Sequence, residues 1–149
     1  MKRDDINWLL DRLDGSGFDD EYDAIKKLRA LGEGLPALLL EKYRNSKKKG
    51  QRASCVYNSI RYARYSQVAV DLGIEALIDK SYPVRYRACM LLAYSLNLNS
   101  LSALRIVFDK TSHQQTKGDL LAAIDAIKNN NSNYFLDRDH SGNVILRVN

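Results

Sequence analysis

A chain of 149 residues with 45% hydrophobic and 28% charged positions has the make-up of one globular domain and excludes a disordered protein. It contains no uninterrupted apolar run of the roughly 18 residues that a membrane-crossing helix needs. The net charge of +5 is unevenly placed: residues 1–23 hold eight acids (Asp4, Asp5, Asp11, Asp14, Asp19, Asp20, Glu21, Asp23) against Lys2, Arg3 and Arg12, a net −5, while the remainder carries +10 and has no acid between Lys42 and Val70.

The opening Met1-Lys2-Arg3-Asp4-Asp5 lacks the apolar core of a signal peptide, so a cytoplasmic protein is expected. Ile6, Leu9, Leu10 and Leu13 then form a helical stripe that ends at Gly15-Ser16-Gly17. Asp19 or Asp20 is placed to cap a second helix carrying Tyr22, Ile25, Leu28 and Leu31, stopped by Gly32. Pro36 falls in the first turn of a third helix, where its missing N–H costs nothing; that helix buries Leu35, Leu38 and Leu39 and runs out at Asn45-Ser46.

The basic loop Lys47-Lys48-Lys49-Gly50 leads into a helix with Ala53, Val56, Ile60 and Ala63 on one face. A shorter helix follows from Gln67 to about Asp79, and Ser81 and Pro83 open the next, with Val84, Ala88, Leu91 and Leu92 inside. After a break at Asn97 to Ser100, two more helices carry Leu101, Leu104, Val107 and Phe108, then Leu120, Leu121, Ile124 and Ile127. Residues 133–149 read as a small β-hairpin, Tyr134-Phe135-Leu136 against Val144 to Val148, turning at Ser141-Gly142-Asn143 and packed on the last helix.

The helices come in pairs that resemble one another at a period of about 30 residues. Gln51-Arg52-Ala53-Ser54-Cys55-Val56 parallels Val84-Arg85-Tyr86-Arg87-Ala88-Cys89, and Ala76-Leu77-Ile78-Asp79 parallels Ile106-Val107-Phe108-Asp109. The stretch from Ile78 to Ala93, with an Asp closing one hairpin and Val84-Arg85 opening the next, resembles a HEAT-like repeat unit of the phycobilisome-lyase type. The likeness is good over residues 74–110, looser over 19–80 and weakest over 115–131, where Lys117-Gly118 stands in place of Val-Arg. It implies an all-α fold: a right-handed α-α superhelix of about four helical hairpins, with residues 1–17 as an N-terminal capping helix and the hairpin at the other end. One 30-residue hairpin cannot bury its apolar face alone, whereas stacked hairpins share a continuous core.

No phosphate-binding loop, dinucleotide fingerprint or metalloprotease motif occurs, and two histidines and two cysteines permit few nucleophilic constellations. Cys55 and Cys89 sit in apolar helical pattern and are expected to be reduced core thiols, and His113 a solvated loop residue. Asp137-Arg138-Asp139-His140-Ser141-Gly142 fits the first half of a calcium loop. Position twelve, however, is Val148 where a bidentate Glu is required, and the flanks read as strands. Neither a metal nor a cofactor is expected.

Binding chemistry is more visible than catalytic chemistry. Arg61, Tyr62, Arg64 and Tyr65, and then Tyr82, Arg85, Tyr86 and Arg87, interleave the residue types that dominate protein-binding hot spots. The acids Asp11, Asp14, Asp19, Asp20, Glu21 and Asp23 form an opposite patch. Small helical-repeat proteins of this size resemble some immunity proteins of bacterial toxin systems, including contact-dependent inhibition. The resemblance implies a non-catalytic module that binds and neutralises a cognate toxin, the acidic segment occluding a basic nuclease site or the Arg/Tyr ridge gripping an acidic surface. The alternative is a nucleic-acid-binding repeat protein using the Arg/Tyr face, as HEAT-like DNA glycosylases cradle DNA, although Trp8 is the only tryptophan available. A third reading, a scaffold for a partner enzyme, follows only from the lyase-type repeats.

Overall fold

The computed structural model describes residues 1–149. Eight α-helices follow in order: α1 (Arg3–Asp11), α2 (Asp19–Leu28), α3 (Leu35–Asn45), α4 (Lys49–Ser59), α5 (Gln67–Ala76), α6 (Tyr82–Ser95), α7 (Leu101–Lys110) and α8 (Gln114–Lys128). Short 3-10 turns at Arg29–Gly34, Ile60–Tyr62, Leu98–Ser100 and Ser132–Phe135 complete the regular structure. The protein is all-α.

Neighbours pair as α1 with α2, α3 with α4, α5 with α6 and α7 with α8, while alternate helices also touch: α3 with α5, α4 with α6, and α6 with α8. A helix packed on several sides must be apolar or small nearly all round. Accordingly α6 buries Val84, Ala88, Cys89, Met90, Leu91, Leu92, Ala93 and Ser95, whereas α7 fully buries only Leu104. At Gly73 of α5 an added Cβ would lie 2.7 Å from a Leu91 methyl, so the absent side chain sets how closely α5 and α6 approach. One core of 35 buried hydrophobic residues runs from Ile6 to Leu146.

The repeated basic residue has a structural meaning. Arg52, Arg85 and Lys117 stand 33 and 32 residues apart, and each reaches back to a carbonyl at or just past the end of the preceding helix. Arg52 donates to Ser46 (3.4 Å), Arg85 to Asp79 (2.8 Å) and Lys117 to Phe108 (3.0 Å). Lys117 thus fills the place where the sequence pattern is weakest. Arg52 also grips the Asp79 carboxylate with two hydrogen bonds of 2.9 and 3.2 Å, and Tyr43 and the Ser81 N–H donate to the same group.

Capping differs in detail from the sequence pattern. Phe18 is the N-cap of α2, and Asp19 and Asp20 lie inside its first turn, where they face the positive end of the helix dipole. The two free N–H groups of Gly15 and Gly17 are instead taken by the Glu21 carboxylate, at 2.8 and 2.7 Å. Gly15 has φ +79°, and its Cα side abuts the backbone of Gly50, where an added Cβ would lie 2.4 Å from the carbonyl oxygen. This contact seats the α1–α2 corner on the first turn of α4. His113 is exposed as expected, but it caps α8, its Nδ1 accepting the Thr116 N–H at 3.2 Å.

The expected C-terminal β-hairpin does not form: residues 136–149 contain no strand. The cause is Asp137, whose carboxylate accepts the N–H groups of Ser141 and Gly142 and the Ser141 hydroxyl, with His140 at φ +53°, so the turn closes locally. The Leu146 N–H then goes to the Asn133 side chain at 2.9 Å, where a ladder would require a backbone partner. Phe135 and Leu146 are buried against the helices, and Arg138 pairs with Asp119 of α8 at 2.9 Å.

Two stability predictions follow from these contacts. Burial pushes the Asp79 carboxyl up, but the hydrogen bonds from Arg52, Ser81 and Tyr43 and the charge of Arg52 outweigh it, so its pKa lies below the ordinary value. A depressed folded-state pKa adds stability that is present above the unfolded value of about 3.9 and is lost as pH falls from there through the lower folded value. Asp79→Ala should therefore cost about 3–5 kcal/mol at pH 7, because it strands buried Arg52, and the gap to the unsubstituted chain in urea midpoints should narrow below about pH 4. Phe135→Ala should cost about 3–5 kcal/mol in the same assay, and a loss under about 1 kcal/mol would mean the tail is not part of the core.

Candidate functional site

Three helices turn one face each towards a common groove. From α2 come Glu21, Tyr22 and Ile25, with Arg29 one turn further on; the 21, 22, 25, 29 spacing is a single helical stripe. Ala53, Ser54, Tyr57 and Asn58 of α4 and Pro83 and Arg87 of α6 form the rest, closed at one end by Asn149. The groove has a volume of about 760 Å³. Glu21 ties two walls together, because the carboxylate that takes Gly15 and Gly17 also accepts the Ser54 hydroxyl.

The floor is rich in arginine. The Arg87 guanidinium stands 4.8 Å from the Tyr57 ring and 5.5 Å from that of Tyr86, and its one hydrogen bond is to the Met90 sulfur at 3.6 Å. Arg29 has its Nε buried with no hydrogen-bond partner. Arg61 and Arg147 line an adjoining recess that shares Arg29, Tyr57 and Asn58 with the groove. The ion pairs of the molecule run Arg3–Glu41, Lys42–Asp11, Arg44–Glu75, Arg52–Asp79, Arg138–Asp119 and His140–Asp125. None of the four groove arginines takes part.

The Arg/Tyr ridge of the sequence is divided among several places. Arg85 donates to Thr116 at 3.0 Å and to the Asp79 carbonyl, and so ties α6 to its neighbours. Tyr82 donates to Asp119 at 2.9 Å, and burial together with that bond pushes its phenol up to about 12. Tyr86 packs on Phe135 with ring centroids 5.5 Å apart, and Tyr62 is 4% exposed, its phenol raised by burial. Arg64 lies over the Tyr94 ring and donates to the Tyr94 carbonyl and Ser132, while Tyr65 is exposed. Of the eight ridge residues, Arg61 and Arg87 alone line the groove or its recess.

The acidic patch is also divided. Asp11 pairs with Lys42, and Asp14 accepts the Ser16 N–H at 3.0 Å, a bond that helps hold its carboxyl below the ordinary value. Asp19, Asp20 and Asp23 are exposed and outside every ion pair. Beside them Phe18 is 75% exposed and Tyr22 62% exposed, so Tyr22 belongs to the groove and not to the core stripe. Trp8, also exposed, is covered by the Arg12 guanidinium at 3.8 Å.

Sequence reasoning missed Arg29, Tyr57, Asn58 and Arg147. A signal for three of them was present: Arg29 continues the stripe of Tyr22 and Ile25, and Tyr57 and Asn58 continue that of Ala53 and Ser54. Cys55 and Cys89 are free and buried, and burial pushes the Cys55 thiol up to about 12, which keeps it protonated and a poor nucleophile. His140 stacks on Tyr134 at 3.7 Å and contacts Asp125. No helix is long and apolar enough to cross a membrane. Comparison with known proteins finds no matching family model, no matching curated protein and no matching solved structure.

The division of the arginines is measurable. Arg85→Ala removes hydrogen bonds by a charged donor and should cost about 1.5–3 kcal/mol. Arg61→Ala should stay within about 0.5 kcal/mol of the parent, both read from urea midpoints. Equal losses would mean that Arg61 is also part of the scaffold.

Proposed function

We propose that the chain is a non-catalytic protein-binding module, an immunity or inhibitor protein that binds and neutralises a cognate bacterial toxin domain in the cytoplasm. The observation that carries this reading is the groove across α2, α4 and α6, in which Arg29 and Arg87 stand outside every ion pair, the Arg29 Nε has no hydrogen-bond partner and Tyr22 is exposed. Arg and Tyr on a concave surface are hot-spot chemistry. Phe18, Tyr22, Asp19, Asp20 and Asp23 form one acidic, aromatic lip suited to a basic toxin surface. The scaffold we propose is a right-handed stack of HEAT-like hairpins, supported by the alternate-helix contacts and the basic residue recurring every 32–33 positions.

A nucleic-acid-binding reading has one observation in its favour. Lys47, Lys49 and Lys80 line a second concave edge that meets the groove at Pro83, and they are exposed and without carboxylate partners. Phosphate binding there would weaken with a slope near −0.9 per phosphate neutralised in log–log salt titration.

Affinity capture from a lysate of the native cell, with and without nuclease, separates the two. One stoichiometric protein should survive nuclease, be toxic when expressed alone, and lose its toxicity when this chain is co-expressed. Asp19→Asn/Asp20→Asn/Asp23→Asn should weaken its capture about tenfold or more. Capture that disappears with nuclease would replace the inhibitor reading with the nucleic-acid one.

A further inference from the structure

Arg29 and Arg87 line the groove, Arg61 and Arg147 line the small recess of about 20 Å³ that adjoins it, and none of the four pairs with a carboxylate. Arg29 follows α2, Arg61 follows α4, Arg87 is in α6 and Arg147 is in the tail, so the charges are spread along the groove and its recess. The one acid of the lining, Glu21, already accepts three hydrogen bonds from Gly15, Gly17 and Ser54. Like charges in a partly enclosed site raise a positive local potential that draws in an anion. The planar guanidinium fork, in particular, suits bidentate carboxylate recognition.

We infer that this groove holds an extended acidic segment of the partner protein, its carboxylates on Arg29 and Arg87, with Arg61 and Arg147 at the adjoining recess adding to the positive field. The inference rests on the protein-binding reading and names the chemistry of the partner. The volume of about 760 Å³ fits a few residues of chain, and the exposed Tyr22 and Tyr57 rings offer apolar contact beside the charges. A single small anion would leave most of these cations unmet. Single-stranded nucleic acid fits less well, since such sites stack successive bases on successive rings. Here Arg87 lies over Tyr57 and Tyr62 is buried, so Tyr22 is the one groove ring without an arginine across it.

The test uses the full chain and a fluorescein-labelled hexaglutamate peptide, read by fluorescence anisotropy at low salt. The parent chain should bind, and Arg29→Gln/Arg87→Gln should weaken binding about tenfold or more. The second pair, Arg61→Gln/Arg147→Gln, should weaken it too and guards against a folding defect at half-buried Arg29, with thermal melting by circular dichroism as the check. Lys47→Gln/Lys49→Gln/Lys80→Gln removes three charges elsewhere and should change affinity less than about threefold. No hexaglutamate binding, or equal loss in the lysine variant, overturns the groove assignment while leaving the protein-binding reading intact. Thymidine hexanucleotide that binds through the same arginines and displaces the peptide overturns both.

Discussion

The Asp79 carboxylate takes both branches of the Arg52 guanidinium, the Tyr43 hydroxyl and the Ser81 N–H, while its own carbonyl takes Arg85. Those partners come from α3, α4 and both ends of the α5–α6 connection, so one residue fixes the junction between two hairpins. A buried ion pair adds little net stability compared with a well-packed apolar substitute, but removing either partner leaves a charge stranded. Its value here is geometric. It permits a single register of α4 against α6, and Tyr57 and Asn58 on one helix and Pro83 and Arg87 on the other acquire a common surface from that register.

The same economy accounts for which polar groups are left over. Asp119 repeats the theme one hairpin later, accepting from Tyr82 and Arg138, and thereby anchors the tail to α6 and α8. Arg52, Arg85, Lys117 and Arg138 close the helix ends, Arg44 pairs with Glu75 and Arg64 holds Tyr94 and Ser132, which leaves Arg61 and Arg87 without a carboxylate or backbone partner. Arg61 and Arg87 are then free to project into solvent-filled space. On the protein-binding reading proposed above, the candidate binding residues are distinguished by lacking partners, not by residue type.

Helix positions and the burial of both cysteines could be read from apolar spacing. The pairing could not: the repeat joins α4 to α5 and α6 to α7, whereas α4 packs mainly on α3 and α6, and α6 on α5 and α8. Nor could the tail. Tyr134 to Leu136 and Val144 to Val148 have strand composition, but a lone hairpin is marginal, and the competing Asp137 turn and the docking of Phe135 and Leu146 both depend on tertiary contacts. The site was legible in residue type and misplaced in space. Arg85 and Arg87 look like one motif in the sequence, yet positions two apart on a helix point about 200° apart. One therefore ties α6 to Thr116 while the other faces the groove. Arg29 was hidden for the opposite reason: it lies far from the basic segment in sequence and reaches the groove only through the stripe of α2.

On the protein-binding reading proposed above, the internal polarity of the surface narrows the kind of partner further. The acidic lip at the start of α2 and the arginine floor are separated by little more than the length of that helix, since Tyr22 and Arg29 line the same groove two turns apart. A partner of one sign throughout would be attracted by one end and repelled by the other. A partner with a basic surface and an adjacent acidic segment satisfies both, and only in one orientation. Charge arranged in this way selects the docking pose and speeds encounter more than it deepens affinity. The apolar contacts at exposed Tyr22 and Tyr57, beside the two charged regions, are then the natural source of lifetime once the pose is set.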